Sequence, residues 1–547
     1  MLFHGNISGH DFRFHIASWM DARGQWREGI LFPRWAEWAN WGFGEPRFIF
    51  YPPLSWMMGA ALGSLLPWRM APGAFIWLAL TLAGLSMGRF ARDGLSRPYA
   101  NLAAVLYVAN PYHLVMVYYR SAFGELLGVA LLPLLFWAAL RIIGGEWRQV
   151  PSLAVVFAGI WLSNLPVAVI ATYGLVVAIA TGSVLKKSFR PVVLGLSAGA
   201  GGLALACCYV LPAAWEQPWV QIREAVSDNL RPFENFLFTR ANDPAFVAFN
   251  WQVSWVAAGL IGAAAVAALV TIKKKVEISP TWWILSVLGV VSIVMMLPIS
   301  LWLWRVLPKL WFIQFPWRWL DILDVVVCFL AATAIAALRS RTAGWVATIA
   351  VFVAIGTAGA TMLSEASWDS GDAVSDLATS IRDGQGYEGA DEYTPTGCNR
   401  YQLPGNPDDS ERPANVSAEP APRIAKIDSG SGNIVPATGV TLDMQAWTSI
   451  RRVFTADSEQ ALTLAPRLVN YPAWQLLVNG QHAKFSLYPE TGQILVPLSA
   501  GSTRIKISFC RTWDRTAGDV VSTIAAVALG MLAWAFGRPN IRSTNAD

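Results

Sequence analysis

The sequence predicts an α-helical polytopic membrane protein that carries a small extracytoplasmic β-sandwich-like domain. Three observations carry this expectation. First, 54% of the 547 residues are hydrophobic and 14% charged, whereas soluble chains carry about a quarter charged residues. Second, apolar runs long enough to cross a bilayer recur along the chain. Third, one long stretch, residues 363–515, lacks such a run and ends in short segments of partly alternating polarity.

The net charge of +5 is small and spread over short loops. It reads as topology signal and not as a nucleic-acid footprint. No glycine-rich phosphate loop, CxxC pair or HExxH helix appears, and the five cysteines fit no zinc spacing. Cys207, Cys208 and Cys328 lie in apolar helices, where cysteine acts as a small packing residue.

Taken in order, residues 1–69 form the first external loop. Eleven spans are then expected near 70–89, 98–117, 123–141, 151–165, 166–183, 190–211, 251–272, 281–299, 319–338, 343–362 and 516–536. Ten of them belong to or border a membrane domain over 70–362. Basic residues mark every second loop: Arg89, Arg92 and Arg97; Arg141 and Arg148; Lys186, Lys187 and Arg190; Lys273 to Lys275; Arg339 and Arg341; Arg538 and Arg542. Positive loops face the cytoplasm, and this parity holds throughout if residues 1–69 lie outside. The stretch "PLSWMMGAALGSLL", residues 53–66, would break the parity as a span. At ~1.5 Å per residue it reaches roughly 21 Å, short of a ~30 Å hydrocarbon core, so it reads as a juxtamembrane helix on the outer face. The parity also puts the N-terminus outside with no signal to carry it there, and so expects one further helix upstream.

Residues 363–437, rich in Gly, Ser, Asp, Pro and Glu, read as an external loop region. From 438 to 515 the segments "GVTLDMQAW", "SIRRVFTA", "AWQLLVNG" and "TRIKISF", with "VNGQ" as hairpin punctuation, predict antiparallel strands. Residues 516–547 supply the last helix and a cytoplasmic tail. Cys398 and Cys510 are the only cysteines of the exported stretch. An exported domain permits a disulfide between them; two separate thiols are the alternative.

The most polar stretch of the greasy chain is its opening, "GHDFRFH", residues 9–15. Asp11 and His15 share a helical face, and with His10 could hold a divalent metal; a hydrogen-bonding role accounts for them equally well. The other external loops bring Arg120 and Glu125 in "YYRSAFGELLG" and Arg318 in "FIQFPWRWL". Ionisable groups at a membrane boundary are costly unless they face a partner or a wet cavity. Their clustering on one side suggests a cavity for a polar, anionic ligand, and an Arg120–Glu125 ion pair that fixes helix packing is the plain alternative.

The run from "GHDFRFH" to "YPPLSW", with "YYRSAFGELLGVALLPL", "FIQFPWRWL", "GADEYTPTG" and "VNYPAWQLLVNG", resembles the membrane family labelled 6-pyruvoyl-tetrahydropterin synthase-related. That family is similar to the GT-C superfamily of glycosyltransferases. The resemblance spans nearly the whole chain. It implies a GT-C-like fold and transfer of a sugar from a polyprenyl-phosphate donor to a lipid, glycan or protein acceptor outside the membrane. The expected location is a bacterial inner (plasma) membrane. In such enzymes an acidic residue of the first external loop is catalytic; Asp11 matches that position. Glu125 would be a second acidic residue and Arg120 and Arg318 the donor-phosphate clamps, while His10 and His15 would support Asp11 or a metal. Tyr51 would offer an aromatic face to sugar or prenyl chain. Two other functions remain open: a transporter of lipid or glycan, which predicts broken helices in both halves, and a non-catalytic envelope glycan-assembly protein.

Overall fold

The computed structural model describes residues 5–275, 278–338, 340–369, 372–407, 413 and 416–537. Arg339, Arg538 and Arg542, three of the basic residues used for the parity, lie outside the described residues.

The protein is an integral membrane protein built mainly of helices. Among the described residues eight helices are long and apolar enough to cross a membrane, or up to ten if each of two bent pairs is one span. This is fewer than the eleven expected, and the physical reason is visible at Val150–Ser163. That helix has only 14 residues, too short for a span by length. It stops at Asn164, whose backbone is extended and whose side chain accepts the Val167 N–H to start the next helix, Leu165–Lys186. The bent pairs are Arg190–Leu205 with Cys207–Trp215, at 76°, and Pro280–Met295 with Pro298–Val306, at 89°. Pro53–Leu65 forms a 13-residue helix. Tyr51 and Pro52 ahead of it are extended and Pro53 sits in its first turn, where a missing N–H costs nothing.

The strands are β1 (Asn6–Ile7), β2 (Trp368–Asp369), β3 (Ile424–Ile427), β4 (Ile434–Pro436), β5 (Val440–Thr448), β6 (Arg451–Ser458), β7 (Leu462–Pro466), β8 (Trp474–Val478), β9 (Gln481–Ala483), β10 (Ser486–Leu487), β11 (Ile494–Leu498) and β12 (Gly501–Phe509). β1 and β2 pair with each other as a short antiparallel ribbon, and the other ten make two five-stranded antiparallel sheets, ordered β10-β11-β7-β3-β4 and β5-β6-β12-β8-β9. The inward side chains of both, such as Phe454, Leu464, Leu476, Val496 and Ile505, share one core, so the domain is a sandwich. At "VNGQ" Asn479 and Gly480 both have positive φ, 51° and 83°, as a two-residue hairpin loop requires. The region expected to be loop, 363–437, contains more order than its composition suggests. It holds a helix, Asp372–Arg382, and the strands β3 and β4, which complete the first sheet.

The Cys398–Cys510 disulfide is not formed; both thiols are free. Cys398 lies against Gly492, at the turn before β11 in one sheet. Cys510 follows β12 in the other sheet, and its N–H donates to Ala473 O. The two sheets hold the thiols on separate elements.

The sandwich is not a remote appendage. Trp35, Phe43, Ile49 and Phe50 of the first loop are part of its core. Val469 N–H donates to Phe43 O at 3.2 Å, and Arg452 pairs with Glu37 at 3.5 Å. The first loop and the sandwich therefore sit at the same end of the helical bundle.

Candidate functional site

The opening segment is docked on a distorted helix end. Met116–Arg120 form a π-helical turn, and Ser121 after it is left-handed, with φ 51°. Such widened turns expose backbone groups and recur at functional sites. Here the exposed carbonyls receive the chain's first residues: His10 N–H donates to Tyr119 O at 3.3 Å and Asp11 N–H to Arg120 O at 2.9 Å. Ser121 Oγ accepts from Gly9 N–H at 3.0 Å and donates to Ile7 O at 3.1 Å. The approach is so close that a Cβ on Gly9 would stand 2.5 Å from Tyr119 O. Asp11 is thereby fixed at the start of the helix Phe12–Arg27. Its side chain caps nothing, and it is left 44% exposed.

Beside it lies a buried ionic cluster. Glu125 Oε2 accepts from Arg120 Nη1 at 2.6 Å and lies 3.2 Å from Arg318 Nε. Its Oε1 accepts from the Tyr112 hydroxyl at 2.7 Å. Arg120 turns Nη2 outward, 3.7 Å from Asp11 Oδ2, and its guanidinium lies 5.2 Å from the Trp317 ring centre. Arg318 Nη1 donates to Ile313 O at 2.7 Å. Arg120 closes the span Arg97–Arg120, Glu125 opens Phe123–Ile143 and Arg318 opens Pro316–Ala336. Three spans thus place their charges at one end of the bundle. Two cations and two carboxylates meet there, and of the two carboxylates Asp11 is the accessible one.

The supporting residues divide. Tyr51 stacks edge-on against Phe14, 5.0 Å between centres. Its hydroxyl hangs over Gly124, where a Cβ would come within 2.8 Å. Burial, reinforced by Asp11 and Glu125, raises its pKa. His15 is buried among Phe14, Tyr51, Phe123 and Trp19, with Nδ1 unbonded. Burial, then Arg47 and Arg120, push its pKa down to about 3, so it is a neutral packing group in this structure. The His10 ring leans on Phe249 at 5.5 Å. His10, Asp11 and His15 do not converge. Among the described residues no three His, Cys, Asp or Glu side chains are grouped to hold a metal ion.

Sequence reasoning missed three features. Asp321 and Asp324 lie on the helix that follows Arg318 and are fully buried. Neither oxygen of Asp321 has a hydrogen-bond partner, and Asp324 lies beside Asn110. Two acids inside an apolar span were themselves the available signal. The second feature is the buried pair Arg47–Glu45, at 2.6 Å. Arg47 also donates to Ser18 Oγ at 3.0 Å and covers the Phe14 ring at 4.2 Å. The third is the placement of "GADEYTPTG", a segment singled out only for the resemblance, which folds back onto the first loop. Ala390 N–H donates to Glu45 Oε2 at 3.0 Å. A Cβ on Gly389 would overlap Asn40 Oδ1, 1.9 Å away.

The sequence model of the 6-pyruvoyl-tetrahydropterin synthase related domain, a membrane protein family, matches residues 48–368. That is more than half of the chain. The chain belongs to this family. No curated protein and no solved structure matches it. The matched span contains Arg120, Glu125, Arg318 and the missed acids Asp321 and Asp324; Asp11 lies ahead of it.

Proposed function

We propose that this family member is a membrane glycosyltransferase of GT-C type, which moves a sugar from a polyprenyl-phosphate donor to a lipid, glycan or protein acceptor on the extracytoplasmic side of a bacterial inner membrane. The observation that carries this reading is an accessible carboxylate, Asp11, 3.7 Å from Arg120, which shares Glu125 with Arg318 at the ends of apolar spans. Asp11 takes the proton of the acceptor hydroxyl, and that oxygen attacks the anomeric carbon. The bond from the anomeric carbon to the phosphate oxygen breaks, and its electron pair leaves with the lipid phosphate. Arg120 and Arg318 hold the charge that grows there. Glu125 keeps both guanidinia aimed at one point and Tyr51 closes the side of the site. No step requires a metal, though a divalent ion carried in by the donor phosphate is compatible with it.

Arg318→Ala tests the phosphate role. The full-length protein should lose about tenfold or more in affinity for a polyprenyl phosphate, the scale of a charged hydrogen bond. Unchanged affinity in a folded variant would remove Arg318 from the donor site.

A second reading, transport of a lipid-linked glycan, is favoured by the two bent helix pairs, at 76° and 89°. Movement of a fluorescent polyprenyl-phosphate sugar between leaflets of proteoliposomes, without transfer, would support it over the first.

A further inference from the structure

The chain that delivers Arg318 turns through a conformation that residues with a Cβ rarely adopt. Gln314 has φ 68° and ψ −56°, and Phe315 N–H donates to Ile313 O at 2.8 Å across it. This is the three-residue γ-turn in its rare, strained form. The next residue cannot absorb the strain, because Phe315 precedes Pro316 and is held extended, at φ −112° and ψ 107°. Glycine would make this turn with least strain. A glutamine in its place needs its side chain to offset the strain.

That side chain joins two separate parts of the molecule. Its Nε2 donates to Ala225 O at 2.6 Å. Its Oε1 accepts from Arg318 Nη1 at 3.3 Å, and the same nitrogen donates to Ile313 O at 2.7 Å. The carbonyl at the start of the γ-turn and the amide at its centre therefore grip one nitrogen of the guanidinium. Nε of Arg318 faces Glu125 Oε2 at 3.2 Å, and Nη2 makes no hydrogen bond among the described residues. Ala225 belongs to the short turn Ile222–Val226. Gln221 anchors that turn: its N–H donates to Thr394 O at 2.9 Å and its Nε2 to Cys398 O at 2.6 Å. Cys398 is part of the sandwich core. A line of contacts thus runs from Arg318 through Gln314 to the sandwich.

We propose that Gln314 is a positioning residue, which fixes the plane of the Arg318 guanidinium so that Nη2 is left to donate to the phosphate of the ligand. This rests on the phosphate role of Arg318 proposed above. Glu125 alone would let the guanidinium pivot about Nε. The second grip, on Nη1, sets its plane, and a planar donor holds phosphate well only when that plane is set. Strain kept at a turn whose side chain aims a binding group is preorganisation. A glutamine that only closed a loop could become glycine with no loss of binding.

The test is a double-mutant cycle on the full-length protein in detergent, titrated with undecaprenyl phosphate and read beside the melting temperature. Gln314→Gly should weaken binding about tenfold. Its melting temperature should stay near wild type, since relief of the turn offsets the lost hydrogen bonds. In the Arg318→Ala background the same change should have no further effect, because Gln314 acts only through Arg318. Gln314→Asn also tolerates the positive φ and is one methylene too short to reach both partners. It should behave alike, and it decides should Gln314→Gly fail to fold. Unchanged affinity in a folded variant, or an equal further loss in the Arg318→Ala background, overturns the positioning role and leaves the phosphate role of Arg318 standing. A strongly lowered melting temperature in both variants also overturns it, by making Gln314 a structural clasp. Unchanged affinity in Arg318→Ala, or no binding by the wild type, overturns both.

Discussion

Two of the buried arginine–glutamate assemblies look alike and are built for different ends. In one, Glu216 receives Arg515 twice, at 2.7 Å on each oxygen, and the Tyr471 hydroxyl at 2.5 Å. Every oxygen of Glu216 is used, and all three side chains are buried. Tyr471 belongs to the sandwich core and Arg515 to the helix Trp513–Gly537. This assembly is a closed rivet between the sandwich, the last helix and the end of Cys207–Trp215. In the other, Glu125 gathers Arg120, Arg318 and Tyr112, but Arg120 keeps a nitrogen turned toward the exposed Asp11. The open edge, not the buried charge, separates a site from a rivet.

Substitutions should separate the two regions. Glu216→Ala leaves Arg515 uncompensated in a buried place and should cost about 3–5 kcal/mol. The expected readout is a strongly lowered melting temperature or lost expression; a normal melting temperature would show that the rivet carries no load. Gly9→Ala should be milder overall, about 1–3 kcal/mol, because its Cβ meets the Tyr119 carbonyl at 2.5 Å. Its damage should fall on Asp11, so transfer should drop more than stability. Equal loss of both would make the opening segment merely structural.

A smaller effect follows from pH. His15 has its pKa lowered from 6.5 to about 3. Its folded form holds fewer protons than the unfolded chain between those values, so stability is fully present above 6.5 and is lost as pH falls toward 3. Glu392 is raised from 4.5 to about 7. Its contribution has the opposite sign: present below 4.5 and lost as pH rises through about 7. Melting curves from pH 4 to 8 should therefore flatten on the acid side in His15→Phe and on the neutral side in Glu392→Gln. Profiles parallel to wild type would contradict both assignments.

Sidedness gives the last comparison. Leu31 and Glu459 are exposed on the first loop and the sandwich, two regions that share a core. Cysteines placed there, in a background without native cysteines, should both react with an impermeant reagent from the extracytoplasmic side. Labelling of only one would contradict the packing, and labelling of both from the cytoplasm would invert the topology.

What was legible in the sequence follows the same division. Arg120, Glu125 and Arg318 stand out because charge at the end of an apolar run is expensive and so needs a reason. Helix breaks were less legible. Asn164 separates two apolar segments that periodicity alone reads as two spans, and only the length of Val150–Ser163 corrects it. The strands β3 and β4 hid in a segment rich in turn residues, since strand order there comes from pairing, β3 with β7 and β4 with β3, and not from local preference. Glu392 was invisible for a related reason. An acid in a polar loop is ordinary until tertiary packing brings it beside the buried Glu45–Arg47 pair.

The central claim is that the exposed carboxylate at the edge of the buried cluster takes the acceptor proton. Asp11→Asn tests it most directly, with transfer from a polyprenyl-phosphate sugar and thermal stability measured on the same preparation. Asparagine keeps the shape and cannot take the proton. The melting temperature and donor affinity should stay near wild type while transfer falls by roughly 10²–10⁴-fold. A stable Asp11→Asn protein that transfers sugar at the wild-type rate would contradict the account.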